Sequence, residues 1–199
     1  MKDPSPHQED DMHKIMIIIL LLCSYSFSAI AEKVHGVKIA DDLKFSDHSL
    51  KLNGAGVRTK FFLDLYVAGL YLDTQYDSAK AIIDANDEMN IRINIISDKI
   101  TPDRFADATM DGFAHSTHGN VAPIRKEIET MIAVFRNELQ LNDVFDLYYQ
   151  PDVGVEIFRN NVLQATVKGL EFKQALFGIW LSDESVQNSL KKSMLSDLK

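Results

Sequence analysis

An α+β domain, with one antiparallel sheet and helices layered on it, is the fold class this sequence predicts, and three observations predict it. Apolar and polar residues alternate with a period of two from Val34 to Phe45, and short strand-like runs return between Val144 and Val167. Between them lies a helical pair opened by Thr101-Pro102-Asp103: an N-cap, a proline at the first helical position and an acid in the first turn. Two further helical segments follow the later strands. Strands, inserted helices, strands and then helices is the element order of a layered α+β domain.

The chain has 199 residues, 46% hydrophobic and 25% charged, which suits one domain with a sizeable core. Its 21 basic and 29 acidic residues give a net charge of -8. The basic footprint of a nucleic-acid binder is therefore missing, and no nucleic-acid partner is expected.

Residues 1–31 are expected to be a signal peptide. Ile15 to Cys23 is an apolar run too short to span a bilayer, led by His13 and Lys14 and followed by Ala29-Ile30-Ala31, which places cleavage after Ala31. Asp3, Glu9, Asp10 and Asp11 are wrong for the region preceding such a run, so Met12 makes a better start. Cys23 follows three leucines and reads as part of the apolar run rather than a lipidation site. Cleavage leaves residues 32–199 as one cysteine-free domain without a stable membrane anchor, an exported protein for which a bacterial periplasm fits best.

Val34, Val37, Ile39, Leu43 and Phe45 mark short antiparallel strands, with Asp41-Asp42 and Ser46-Asp47 as turns. They lead into Leu52 to Leu72, L-N-G-A-G-V-R-T-K-F-F-L-D-L-Y-V-A-G-L-Y-L, the stretch around which the chain is organised. Gly54 and Gly56 bracket an expected turn that delivers Arg58 into the start of a buried, aromatic strand run. A guanidinium in such company either snorkels to water at the rim or is held inside to meet an acidic or electron-rich ligand group.

Ser78 to Asn86 reads as a short amphipathic helix, and Ile91 to Ile96 as a strand whose Arg92 and Asn94 share a face expected to meet solvent. The helix opened at Thr101 runs to about His118, Gly119-Asn120 closes it, and Val121 to Leu139 is a second helix with Ile124, Ile128, Met131, Ile132 and Phe135 on one stripe. Val144–Tyr149, Val153–Phe158 and Val162–Val167 form a meander turned by Pro151-Asp152 and Asn160-Asn161. Glu171–Trp180 and Ser185–Leu195 are the last helices.

G-A-G-V-R at 54–58, followed by an aromatic strand ending in G-L-Y-L at 69–72, resembles the signature of the chalcone isomerase superfamily, especially its bacterial secreted chalcone-isomerase-like branch. Phe172 to Val186 also resembles that family's closing segment. The resemblance implies an open-faced β-sandwich: a large antiparallel sheet with helices over one face. In the plant enzymes the arginine of this motif positions and polarises the substrate of a ring closure, and it maps onto Arg58. With G-L-Y-L as anchor and the intervening hairpin taken as shortened, Tyr66 falls at a catalytic threonine. Fatty-acid-binding members hold a carboxylate with an arginine and a tyrosine, and Arg58 with Tyr66 is similar. The family's catalytic tyrosine aligns with Phe105, which has no hydroxyl, and its asparagine with Gly112.

Eight residues of straight strand would hold Arg58 and Tyr66 about 26 Å apart. They share a ligand only if Arg58 lies on a bent or folded-back segment, which Gly54 and Gly56 permit. Tyr66 otherwise reads as a core tyrosine with its hydroxyl at the edge. Asp111, His115 and His118 fall on one helical face, but with no further strong ligand in view they read as a solvated helix end, and no metal is expected. No phosphate loop or nucleophile motif is present, and no cofactor is expected.

Three functions therefore stand open. One is a non-catalytic binder of a fatty acid or similar small amphipathic acid in an apolar cleft, with Arg58, Tyr66 and Phe105 as its ligand-facing residues. The second is an isomerase or intramolecular lyase with Arg58 as electrophile. The third is an interaction module whose cleft is closed and whose Arg58 pairs with an acidic neighbour.

Overall fold

Alternation in the first half of the chain builds strands that pair with their sequence neighbours, as the computed structural model shows for residues 33–45, 47–136 and 139–196. The signal-peptide reading of residues 1–31 lies outside the described residues. Lys33–Val34 (β1) and Val37–Lys38 (β2) form a small ribbon. The main sheet is antiparallel throughout: Asp42–Phe45 (β3), His48–Lys60 (β4), Leu63–Leu72 (β5), Met89–Ile95 (β6), Val144–Gln150 (β7), Gly154–Arg159 (β8) and Val162–Val167 (β9), in that order across the sheet. The helices are Ala79–Asp84 (α1), Pro102–Ser116 (α2), Arg125–Arg136 (α3), Leu170–Leu181 (α4) and Asn188–Met194 (α5), with a 3-10 turn at Ala122–Ile124.

Helix limits follow local chemistry. Thr101 caps α2 by accepting from the Arg104 amide at 3.3 Å, with Pro102 in the first turn as expected. Pro123 gives α3 a 3-10 lead-in instead of the continuous helix expected from Val121. One face of the sheet, through Tyr66, Leu70, Ile91, Ile93, Phe145 and Leu147, packs against Phe113, Ile128, Phe135, Phe172, Leu176 and Phe177 of the helices. That burial is the main apolar core, and it fixes which sheet face the helices cover.

The opposite face is curled over at one edge. Phe45 of β3 stacks on Tyr148 of β7 with ring centroids 4.1 Å apart and planes within 5°. Four strand spacings in a flat sheet would separate them by about 19 Å. Leu43, Leu50 and Tyr71 fill the curl. Arg92 sits on this face, so the expectation that it meets solvent is corrected. Its Nε and Nη2 fork onto the two Asp146 carboxylate oxygens, both at 2.8 Å, and Asn90 Nδ2 donates to the same carboxylate. The curl removes enough water for a bidentate pair to replace it.

Gly54 and Gly56 form no turn, contrary to expectation; both lie inside β4. A Cβ on Gly54 would stand 2.2 Å from the Ser193 carbonyl oxygen, and one on Gly56 2.7 Å from Ser193 Cβ. The glycines let α5 lie directly on the strand backbone. Beside them the buried Asn53 donates to the Met194 carbonyl at 2.7 Å, satisfying one of the unpaired acceptors at the end of α5.

Lys173, in α4, is fully buried. Its ammonium donates to the carbonyls of Ile82, Ile83 and Ala85 at 2.7, 3.0 and 2.8 Å, where α1 ends, and lies near the faces of Tyr149 and Phe177. A cation at a helix C-terminus meets the negative end of its dipole while satisfying acceptors that the helix leaves open.

Candidate functional site

The chain between Arg58 and Tyr66 reverses at Phe61-Phe62, a two-residue turn with positive φ at both positions (50° and 64°). Folding back there, rather than at the glycines, makes Arg58 and Tyr66 register partners on β4 and β5. Directly opposed residues of an antiparallel pair project to the same face, and Tyr66 belongs to the helix-facing core. The register slips between Arg58 and Thr59, an irregularity of the kind that re-aims side chains near sites.

Arg58 is half-buried and held from behind. Its Nη1 donates to the Thr59 carbonyl at 2.8 Å and to Gln187 Oε1 at 3.1 Å. Gln187 also accepts from the Thr59 amide at 2.9 Å and donates to the Val57 carbonyl at 3.0 Å, so one side chain clasps three consecutive residues of β4. Nε and Nη2 take no part in that clasp. Among the described residues no carboxylate lies within salt-bridge distance of Arg58, whereas Arg92 and Arg159 are both matched to aspartates.

Tyr66 is 8% exposed, and its hydroxyl accepts from Trp180 Nε1 at 3.1 Å. Burial pushes the phenol above its ordinary value, with the Trp180 hydrogen bond and the Arg58 charge acting in the other direction. At neutral pH the hydroxyl therefore keeps its proton. The indole already occupies an acceptor position, so that proton is available to an acceptor supplied from outside.

Arg58, Tyr66 and Trp180 line a cleft of about 730 Å³ between the β4–β5 hairpin and helices α2, α3 and α4. Leu65, Ile93, Ile100, Phe135 and Ile179 contribute apolar wall. Phe105 is part of that wall, its ring 4.7 Å from that of Phe135. Gly112 is there too, and a Cβ on it would stand 2.9 Å from Ile179 Cγ2, so this position serves the close approach of α2 to α4. The structure thus brings together all three residues expected at the site from sequence. Trp180 and Gln187 were not anticipated in it. Trp180 carried a usable signal as the chain's single tryptophan within the family-like closing segment. Gln187 carried none, being a loop residue 128 positions from the amide it accepts from.

His115 and His118 both approach Glu184, at 3.5 and 3.1 Å, and both are exposed. Asp111 and His115 lie at the cleft lining. Among the described residues no cluster of three or more His, Cys, Asp or Glu side chains is arranged for a metal, and no helix is long and apolar enough to cross a membrane.

A curled antiparallel sheet, helices on one face and an arginine-tyrosine pair in the cleft between them define a chalcone-isomerase-type fold. The sequence profile of the family described as chalcone isomerase-like matches residues 31–196, and the chain belongs to that family. Among solved structures it is similar to a fatty-acid binding protein of Arabidopsis thaliana, with a TM-score of 0.64 and 15% identity, covering 82% of this chain and 93% of that one. No curated protein matches the sequence.

Proposed function

We propose that this protein is an exported, non-catalytic binder of a fatty acid or a similar small amphipathic acid, with the carboxylate at Arg58 and Tyr66 and the chain in the apolar cleft. One observation carries the reading. A half-buried guanidinium with no acidic partner among the described residues faces, across one strand pair, a phenol whose proton is uncommitted, on the wall of an apolar cleft of about 730 Å³. That volume is ordinary for a small-molecule site, and convergent donors in an apolar wall suit the anionic end of an amphipath. An interaction module with a closed cleft fits this arrangement poorly. The fatty-acid binding named for the structurally similar Arabidopsis protein agrees with it, and export rests on the signal-peptide reading of residues 1–31.

Extraction and mass spectrometry of the purified protein should release stoichiometric long-chain acid, and oleate should titrate to one site by calorimetry. Chalcone cyclisation should stay at background, because Phe105 and Gly112 supply no side-chain hydroxyl or amide where hydrogen-bond or acid-base assistance commonly contributes ~10²-fold or more. An empty extract with no oleate heat would sink the binding reading. Chalcone turnover that disappears in Arg58→Ala would replace it with the isomerase.

A further inference from the structure

The turn that brings Arg58 to Tyr66 is built from residues that fit it badly. Two-residue hairpin turns with positive φ at both positions favour Asn-Gly or Asp-Gly, and a bulky side chain at positive φ is an outlier. Here both positions are phenylalanine, at φ 50° and 64°. Their rings are not stored in the fold: Phe61 is 83% exposed, Phe62 is fully exposed, and Leu63 beside them is 48% exposed. Backbone strain of this kind persists where the side chains serve something other than the turn. The Lys60 ammonium lies 5.7 Å from the Phe61 ring centroid, placing a cation at the base of the aromatic tip.

The position of the tip decides its partner. Lys60, Phe61 and Leu63 also line the cleft, so the exposed Phe61 ring continues into the wall of the proposed acyl site, with Phe62 next to it at the tip. A convex tip of two rings needs a rigid socket in a protein partner, but enters the headgroup and acyl boundary of a bilayer without one. A basic residue just behind the apolar residues matches the depth at which lysine ammonium groups sit among phospholipid headgroups. The chain's net charge of -8 gives no general attraction to anionic lipid, so the apolar tip supplies the contact.

We infer that Phe61 and Phe62 form a membrane-inserting tip through which the cleft exchanges its acid with a phospholipid bilayer. This rests on the binding reading of the cleft for the identity of the cargo, while insertion itself does not.

In the full-length protein, the indole introduced by Phe62→Trp should shift its emission to the blue on adding phosphatidylcholine vesicles and be quenched when the acyl chains are brominated. Trp180 is buried, and wild type supplies its background. Phe62→Gly, at a position outside the cleft lining, should slow oleate uptake from phosphatidylcholine vesicles by about tenfold or more, the effect of removing one buried aromatic ring from lipid. Its affinity for lipid-free oleate should be unchanged. Its thermal midpoint should hold or rise, since glycine takes positive φ freely. An introduced indole that ignores lipid overturns the proposal, as does one whose emission shifts with protein concentration instead, which would make the tip a contact between copies. Quenching without any oleate uptake would leave insertion standing and remove the binding reading; uptake without quenching does the reverse.

Discussion

Arg58→Ala should weaken fatty-acid binding by roughly 2–4 kcal/mol, because it leaves a desolvated carboxylate in the cleft without its counter-charge. Arg58→Lys should restore only part of the loss, since an ammonium does not reproduce a planar fork. Tyr66→Phe should cost less, about 1 kcal/mol, the net worth of one hydrogen bond, and it leaves Trp180 Nε1 without its acceptor. Stability of the ligand-free protein should change by less than about 1 kcal/mol in Arg58→Ala, because Gln187 still holds β4 through the Thr59 amide and the Val57 carbonyl. Calorimetry that found equal binding in wild type and Arg58→Ala, together with a large loss of apo stability, would make Arg58 a structural residue and end its assignment to a carboxylate.

Replacing Lys173 by methionine should destabilise the fold by about 3 kcal/mol or more. The substitution keeps most of the volume but strands the buried Ile82 carbonyl together with the part-buried Ile83 and Ala85 carbonyls, and a buried unpaired acceptor costs about 1–3 kcal/mol. The pH dependence has a definite sign. Burial pushes the Lys173 ammonium down to about 8 from its ordinary value of 10.5, with Asp87 and Asp84 opposing the shift. Between about pH 8 and 10.5 the unfolded chain still holds a proton that the folded chain has released, so the Lys173 contribution to stability rises with pH across that window. Below about pH 8 both states are protonated and the contribution is flat. Urea unfolding from pH 7 to 10 should therefore show wild type gaining on Lys173→Met. A constant difference would mean that the ammonium keeps its ordinary value in the core.

Much of the sheet was legible because strand alternation and turn chemistry are local. Asn160-Asn161 takes positive φ between β8 and β9 as its residue types suggest, and Thr101 caps α2 with its side chain. The Phe61-Phe62 reversal was not legible from turn chemistry, since two phenylalanines in an aromatic run read as uninterrupted strand. From sequence, the glycines are therefore the residues that permit Arg58 to fold back. Their real constraint, α5 lying on β4, comes from residues some 140 positions away, beyond any window of periodicity. Arg92 was misread for a similar reason: alternation gives the face of a strand, but whether that face meets water depended on a curl that only the Phe45–Tyr148 stack reveals. Lys173 gave no local signal either, because its acceptors are carbonyls, which every residue has.

The Gln187 clasp has a consequence for the timing of folding. It joins residues 129 positions apart, so the guanidinium it steadies cannot reach its final pose until the chain has been made past residue 187. Up to that moment the β4–β5 hairpin can pair, yet α5 is missing from the glycine-lined strand. Such non-local closure predicts slow, late maturation, with an aromatic, half-covered intermediate exposed meanwhile.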